Sequence, residues 1–68
     1  MNLDRLSPQE RKVVEGIAAG LPYKAIADGL TPPISVRTVE VYAQRARVKL
    51  EAKTVTHLAV IYSLHHRP

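Results

Sequence analysis

The chain has 68 residues, 46% of them hydrophobic, and a formal net charge of +4 at pH 7. This length allows one domain with a modest core, and the absence of cysteine excludes disulfides and thiolate metal sites and fits a reducing compartment. No apolar run is long enough to span a bilayer and no secretory signal is present, so we expect a cytoplasmic protein without membrane contact.

The first predicted helix begins at a capping signal. Ser7 precedes Pro8, and Glu10 lies three residues after the serine, so the Ser7 and Glu10 side chains are expected to bond each other's backbone amides. Gly20 is expected to end the helix, because glycine adopts the left-handed conformation at low cost. The apolar stripe between these signals consists of Val13, Val14, Ile17 and Ala18.

A second, short helix is predicted from about Pro22 or Tyr23 to Gly29. Its expected core residues are Ile26, Ala27 and Leu30. The segment 31–33 contains two consecutive prolines and cannot continue a helix, because proline lacks an amide donor and restricts the residue before it. We therefore predict a turn there.

The third helix is predicted from Val36 to about Leu50, with Ser35 as its N-cap. Its apolar residues share one face by helical spacing: Val39, Ala43, Ala46 and Leu50. The opposite face is polar and basic and carries Arg37, Glu40, Val41, Gln44, Arg45 and Arg47. A closing helix is predicted from Val55 to about Leu64 after a Thr54 cap, followed by a frayed tail 65–68, and its apolar portion comprises Leu58, Ala59, Ile61 and Tyr62.

This order of helices is the layout of a helix-turn-helix module, in which one helix buries a narrow face and offers the other to the major groove. Four segments in order and in register resemble the LuxR-type domain: its L-S/T-x-R/Q-E opening, its G-x-S/T-N-K-E-I-A segment, its I/V-S-x-x-T-V segment and its x-K-L segment. In this chain they are Leu6-Ser7-Pro8-Gln9-Glu10-Arg11, Gly20-Leu21-Pro22-Tyr23-Lys24-Ala25-Ile26-Ala27, Ser35-Val36-Arg37-Thr38-Val39 and Val48-Lys49-Leu50. The resemblance covers Leu6 to Tyr62 and implies an all-α, four-helix domain, 1–68 with its core at 6–64.

The resemblance implies a sequence-specific regulator of transcription that reads double-stranded DNA with the segment of about 36–50. The base-facing positions fall on Glu40, Val41 and Gln44, and Gln44 is expected to bond the N6 and N7 edge of adenine. Phosphate contacts are implied for Lys24, Thr38 and Lys49, and the basic face adds Arg37 and Arg45. A homodimer through the last helix is implied at Val55, Ala59 and Tyr62. RNA polymerase is a further expected partner, and no cofactor is expected.

The chain departs from the family pattern at several positions. Pro32-Pro33 lengthens the turn by about two residues, Pro22 replaces the capping Ser or Thr, and Ala25 replaces a Glu. Glu51 stands where the family has Gly; a left-handed Glu costs on the order of 1 kcal/mol, so we expect a different loop there. Glu40 occupies an often basic position and either changes the specificity or makes no base contact.

Two other functions remain open. Thr38-Val39 followed by Arg45-Ala46-Arg47 resembles the promoter-reading region 4 of sigma factors, although a helix after Thr54 favours the LuxR type. A helix-turn-helix fold that binds another protein is the second alternative, favoured by Glu40 and the longer turn. With few residues before Leu6, the chain is either a stand-alone regulator, which Met1 favours, or the output domain of a larger one.

Enzymatic and metal-binding functions are not expected. The sequence has no nucleophile elbow, phosphate-binding glycine loop or pair of convergent carboxylates. His57, His65 and His66 lack the cysteine or spaced carboxylate partners of a metal site. We expect Glu10 to be a structural cap, and Arg45 or Arg47 to pair with it or with another carboxylate.

Overall fold

A computed structural model of the chain describes residues 5–65. Its four helices are α1 (Pro8–Ala18), α2 (Tyr23–Gly29), α3 (Val36–Lys49) and α4 (Val55–His65), and residues 5–65 contain no strand. The prediction of an all-α, four-helix fold is confirmed, with boundaries one or two residues from those expected. The predicted frayed tail is described only at His65, which is the last residue of α4, and 66–68 lie outside the described residues.

The capping signals at the start of α1 act as predicted. The Ser7 hydroxyl accepts the Glu10 amide at 3.2 Å, and a Glu10 carboxylate oxygen accepts the Ser7 amide at 2.9 Å. At the other end, Gly20 has a φ of 81°, its amide donates to Ile17 O at 3.0 Å, and the Leu21 amide donates to Gly16 O at 3.0 Å. These two bonds form a Schellman motif, which satisfies the last carbonyls of the helix.

The end of α3 repeats this geometry without a glycine. Glu51 has a φ of 56°, its amide donates to Val48 O at 3.1 Å, and the Ala52 amide donates to Arg47 O at 2.9 Å. The expectation that Glu51 would impose a different loop is therefore wrong. The two hydrogen bonds and the buried Ala52 side chain hold the residue in the left-handed conformation despite its Cβ.

The second helix and the turn after it are held mainly by backbone bonds and packing. Pro22 is the N-cap of α2 and makes no side-chain capping bond. The turn contains a cis peptide bond between Thr31 and Pro32. Beyond it, the Ile34 amide donates to Ala27 O at 3.2 Å, which anchors the longer turn to α2 before α3 begins.

The core consists of two clusters, and α1 and α3 contribute to both. The first joins α1, α3 and α4 and contains Leu6, Val14, Ala46, Leu50, Ala52, Leu58, Ile61 and Tyr62. The second joins α1, α2 and α3 and contains Val13, Ile26, Ala27, Leu30, Val39 and Ala43. All the core residues predicted for α2 and α3 are buried, whereas Ile17, Ala18 and Ala59 are only half-buried.

The contact between α1 and α2 is close at Gly16. A Cβ built on this glycine would lie 2.7 Å from Ile26 Cγ1, so the Ile26 side chain occupies the space of the missing side chain. Nothing in the helical pattern of α1 singles out Gly16, because its close contact depends on the packing of α2. None of the helices in residues 5–65 has the length and apolarity needed to cross a membrane.

Candidate nucleic-acid interface

The two faces of α3 differ sharply in exposure. Val39, Ala43, Ala46 and Leu50 are at most 1% exposed, as predicted for the inner face. The predicted base-facing residues Glu40, Val41 and Gln44 are all exposed on the other side. The helix is therefore anchored along one side and open along the other, which is the arrangement that insertion into a DNA groove requires.

An open groove runs between the start of α2 and the outer face of α3. It brings together predicted base-facing and phosphate-contacting residues with Tyr23, which the sequence did not indicate: the lining residues are Tyr23, Arg37, Glu40, Val41, Gln44 and Arg45. Val48 was also missed. It is 65% exposed and lies four residues after Gln44, so the helical spacing of the outer face contained the signal for it.

The first turn of α3 is capped as predicted. The Ser35 hydroxyl accepts the Thr38 amide at 3.1 Å and lies 2.9 Å from the Thr38 hydroxyl. This contact holds the Thr38 hydroxyl at the helix N-terminus. The partial positive charge of a helix N-terminus favours a nearby anion.

Two cations of the outer face have neighbours on α3 itself. Arg37 Nη1 lies 3.8 Å from Glu40 Oε2, with the two side chains 85% and 48% exposed. Such an exposed pair contributes little to stability, so the Arg37 charge remains usable, although Glu40 lowers the local positive potential. The Arg45 guanidinium lies 6.0 Å from the centre of the Tyr42 ring, within reach of a cation–π interaction.

Lys49 is engaged with α1. Its Nζ lies 2.7 Å from Glu10 Oε1, with the Lys49 side chain 38% exposed and the Glu10 side chain 4% exposed. Of the partners expected for Arg45 or Arg47, Glu10 is wrong, because the end of α3 brings Lys49 to the α1 cap. An ammonium group has three donor hydrogens, so Lys49 retains donors for a phosphate while it holds Glu10.

Glu10 serves both the α1 cap and this ion pair. Burial raises the pKa of its carboxyl group, but hydrogen bonds from Lys49 and from the Ser7 amide, together with the Lys49 charge, outweigh burial and leave that pKa below its ordinary value. Glu10 is therefore a structural carboxylate, as predicted. Lys24, which is predicted to contact phosphate, is exposed in the first turn of α2. It follows Tyr23, which lines the groove.

Of the three residues predicted for a dimer surface on α4, one is buried. Tyr62 is 4% exposed and belongs to the core, so its side chain leaves almost no area for a partner. Burial also raises the pKa of its hydroxyl, with Glu15 adding to the shift and Arg11 opposing it. Val55 and Ala59 are half-buried. The open apolar surface of α4 is instead provided by Val60 and Leu64, which are 50% and 61% exposed.

The histidine that the structure describes in full has a backbone role. The Thr54 hydroxyl accepts the His57 amide at 3.0 Å, as predicted for the α4 cap, and His57 Nδ1 accepts the Lys53 amide at 3.1 Å. No three metal-ligating side chains come together among the side chains that the structure describes. The side chains of His65 and His66 lie outside the described residues.

Comparison with known proteins gives relatives for most of the chain. The chain is 46% identical over 56 residues to the transcriptional regulatory protein FixJ of Rhizobium meliloti and 45% identical over 53 residues to FixJ of Bradyrhizobium diazoefficiens. These alignments cover 82% and 78% of this chain but only 26% and 25% of the two relatives, so the chain spans about a quarter of their length. No solved structure matches the chain significantly. The GerE model, described as bacterial regulatory proteins of the luxR family, matches residues 4–62, and the chain therefore belongs to this family.

Proposed function

We propose that this chain is a sequence-specific, double-stranded DNA-binding domain of a transcriptional regulator, and that it inserts the outer face of α3 into the major groove. Family membership and relatives named transcriptional regulatory proteins support a role in transcription. The observation that carries the groove assignment is the contrast between the buried inner face and the exposed outer face of α3. An α-helix with its side chains is about 10–12 Å across, which fits a major groove about 12 Å wide, and the 14 residues of α3 give it about 21 Å of length to lie along that groove.

The outer residues divide into two roles under this proposal. Glu40, Val41 and Gln44 face base edges: Glu40 accepts from a cytosine amino group, Val41 contacts a thymine methyl group, and Gln44 bonds a purine. The phosphate contacts flank them and are assigned to Lys24, Arg37, Thr38, Arg45 and Lys49. Phosphate contacts fix the orientation of the protein, whereas base contacts select the sequence.

Salt dependence of binding tests the phosphate assignments. Binding to a random duplex should weaken as salt rises, with log K falling by about 0.9 per phosphate neutralised for each log unit of salt. Arg37→Ala and Lys24→Ala should each reduce this slope by about that amount. Lys12→Ala is the matched control, because Lys12 lies in the groove between α1 and α2, and it should change the slope little.

The alternative is that the domain binds a protein through the same face. The outer face of α3 carries exposed Val41 and Val48, and Arg37 is partly neutralised by Glu40, which fits an apolar partner better than a uniformly basic face would. The duplex titration separates the two functions. Absence of binding to any duplex at low salt would favour the protein-binding role.

We further propose that the domain forms a homodimer through the exposed side of α4. Val60 and Leu64 are four residues apart and therefore lie on one side of the helix. Leu64→Glu should shift a dimer toward monomer in sedimentation, whereas Leu21→Glu, at another exposed leucine outside α4, should not. An unchanged dimer in Leu64→Glu would place the interface elsewhere. Tyr62→Glu is unsuitable, because it would bury a charge in the core.

A further inference from the structure

The side chain of Arg47 links Gln44 to the loop after α3. Arg47 Nε donates to Gln44 Oε1 at 2.8 Å, and Arg47 Nη1 donates to the carbonyl oxygen of Ala52 at 3.2 Å. Gln44 and Arg47 are three residues apart and so lie side by side on the helix surface. The guanidinium is planar and rigid, so the bond to the backbone carbonyl fixes the direction from which Arg47 meets Gln44.

This contact determines which end of the Gln44 amide is left available. Arginine has only donor hydrogens, so the Gln44 atom that it meets must be the carbonyl oxygen. The Gln44 amide nitrogen, with two donor hydrogens, is therefore directed away from Arg47. Gln44 is exposed, and this donor end is the part of the side chain offered to a ligand.

The remaining lone pair of Gln44 Oε1 is a poor acceptor for a base. It adjoins the positive guanidinium of Arg47, and a base amino group placed there would bring its own positive hydrogens toward that charge. The same charge attracts base acceptors. Both effects favour a base edge that consists of acceptors over one that combines an acceptor with a donor.

We propose that Arg47 is a positioning residue that makes Gln44 a donor, so that Gln44 selects guanine over adenine. The proposal rests on the DNA-binding function proposed above. In the major groove guanine presents two acceptors, N7 and O6, whereas adenine presents the N7 acceptor and the N6 donor. A glutamine that is free to rotate pairs with adenine through both ends of its amide. Arg47 disfavours that pairing, because it takes one lone pair of the oxygen and places its positive charge beside the other.

Selection of bound sites from a random duplex library tests the proposal, followed by affinity measurements on the selected site with single-base changes. The wild-type chain should show one position at which guanine is preferred over adenine by about tenfold. Gln44→Ala should abolish the preference at that position, which identifies the base pair. Arg47→Met keeps a long side chain without donors and should move the preference toward adenine by about tenfold.

The double variant Arg47→Met/Gln44→Ala separates positioning from general stabilisation. If Arg47 acts through Gln44, Arg47→Met should leave the base preference unchanged once Gln44 is absent. Loss of the Ala52 bond alone would lower affinity for every sequence equally, without changing the ratio of guanine to adenine. An unchanged ratio in the single variant Arg47→Met would overturn the proposal. Absence of duplex binding by the wild-type chain would overturn the DNA-binding function and this inference together.

Discussion

Replacement of Glu51 by glycine should stabilise the domain. Glu51 has a left-handed φ of 56° and makes the same pair of C-terminal hydrogen bonds as Gly20, whose φ is 81°. A glycine at position 51 would keep both bonds and remove the clash of the Cβ with the backbone. The substitution therefore isolates the cost of one strained residue.

The expected gain follows from two opposing effects. A non-glycine residue in the left-handed region costs about 1.5 kcal/mol, whereas the added freedom of glycine in the unfolded chain costs about 0.7 kcal/mol. The net increase in the free energy of unfolding should be about 0.8 kcal/mol. For a domain of 68 residues, this corresponds to a rise in Tm of about 3–6 °C.

Urea denaturation followed by far-ultraviolet circular dichroism measures this change, with an unchanged m-value showing that only stability has altered. Glu51→Ala is the matched control: it removes the carboxylate but keeps the Cβ, and should shift stability by less than about 0.5 kcal/mol. Gly20→Ala provides the reverse experiment, because a Cβ there would meet no atom within 4 Å and only the backbone cost applies. A loss of stability in Glu51→Gly, or no loss in Gly20→Ala, would refute the reasoning.

Two further predictions concern α1: its contact with α2 at Gly16 and its ion pair with α3 at Glu10. Gly16→Ala should lower the free energy of unfolding by about 1 kcal/mol, because overpacking against Ile26 exceeds the gain in helix propensity. Gly29→Ala is the control, because a Cβ there meets nothing within 4 Å. Greater stability in Gly16→Ala would contradict the prediction. Because the folded-state pKa of Glu10 is lowered, its contribution is present above the ordinary value of 4.5 and is lost as pH falls through the lower folded-state pKa. Glu10→Gln should cost about 1–3 kcal/mol at neutral pH, where Lys49 loses its partner. It should also flatten the loss of stability that denaturation curves show as pH falls below the ordinary value of 4.5, and an equally steep loss would contradict this.

The sequence predicted the features that depend on nearby residues. The Ser7, Ser35 and Thr54 caps are local signals that involve residues three positions apart, and the structure contains all three. The apolar spacing of α3 also identified its buried face, because that helix carries polar residues on the other side. The exposure of the proposed base-facing residues followed from the same spacing.

Other features depended on how the helices pack together. Glu10 and Lys49 are 39 residues apart, so only the crossing of α1 and α3 brings them together. The burial of Tyr62 could not be predicted, because α4 has apolar residues on almost every side and its pattern does not separate inner from outer positions. The bridge from Arg47 to Ala52 depends on a turn whose left-handed residue the sequence argued against.

The alternation of inner and outer positions along α3 makes the helix a natural framework for redesign. Its inner positions, such as Val39 and Ala46, pack in the core and fix the position of α3. Exposed positions such as Val41 and Val48 belong to neither core cluster. A combinatorial library at the outward positions would sample new surface chemistry on an unchanged scaffold. Arg47 is the exception, since it links this surface to the loop that follows, and it would be held constant.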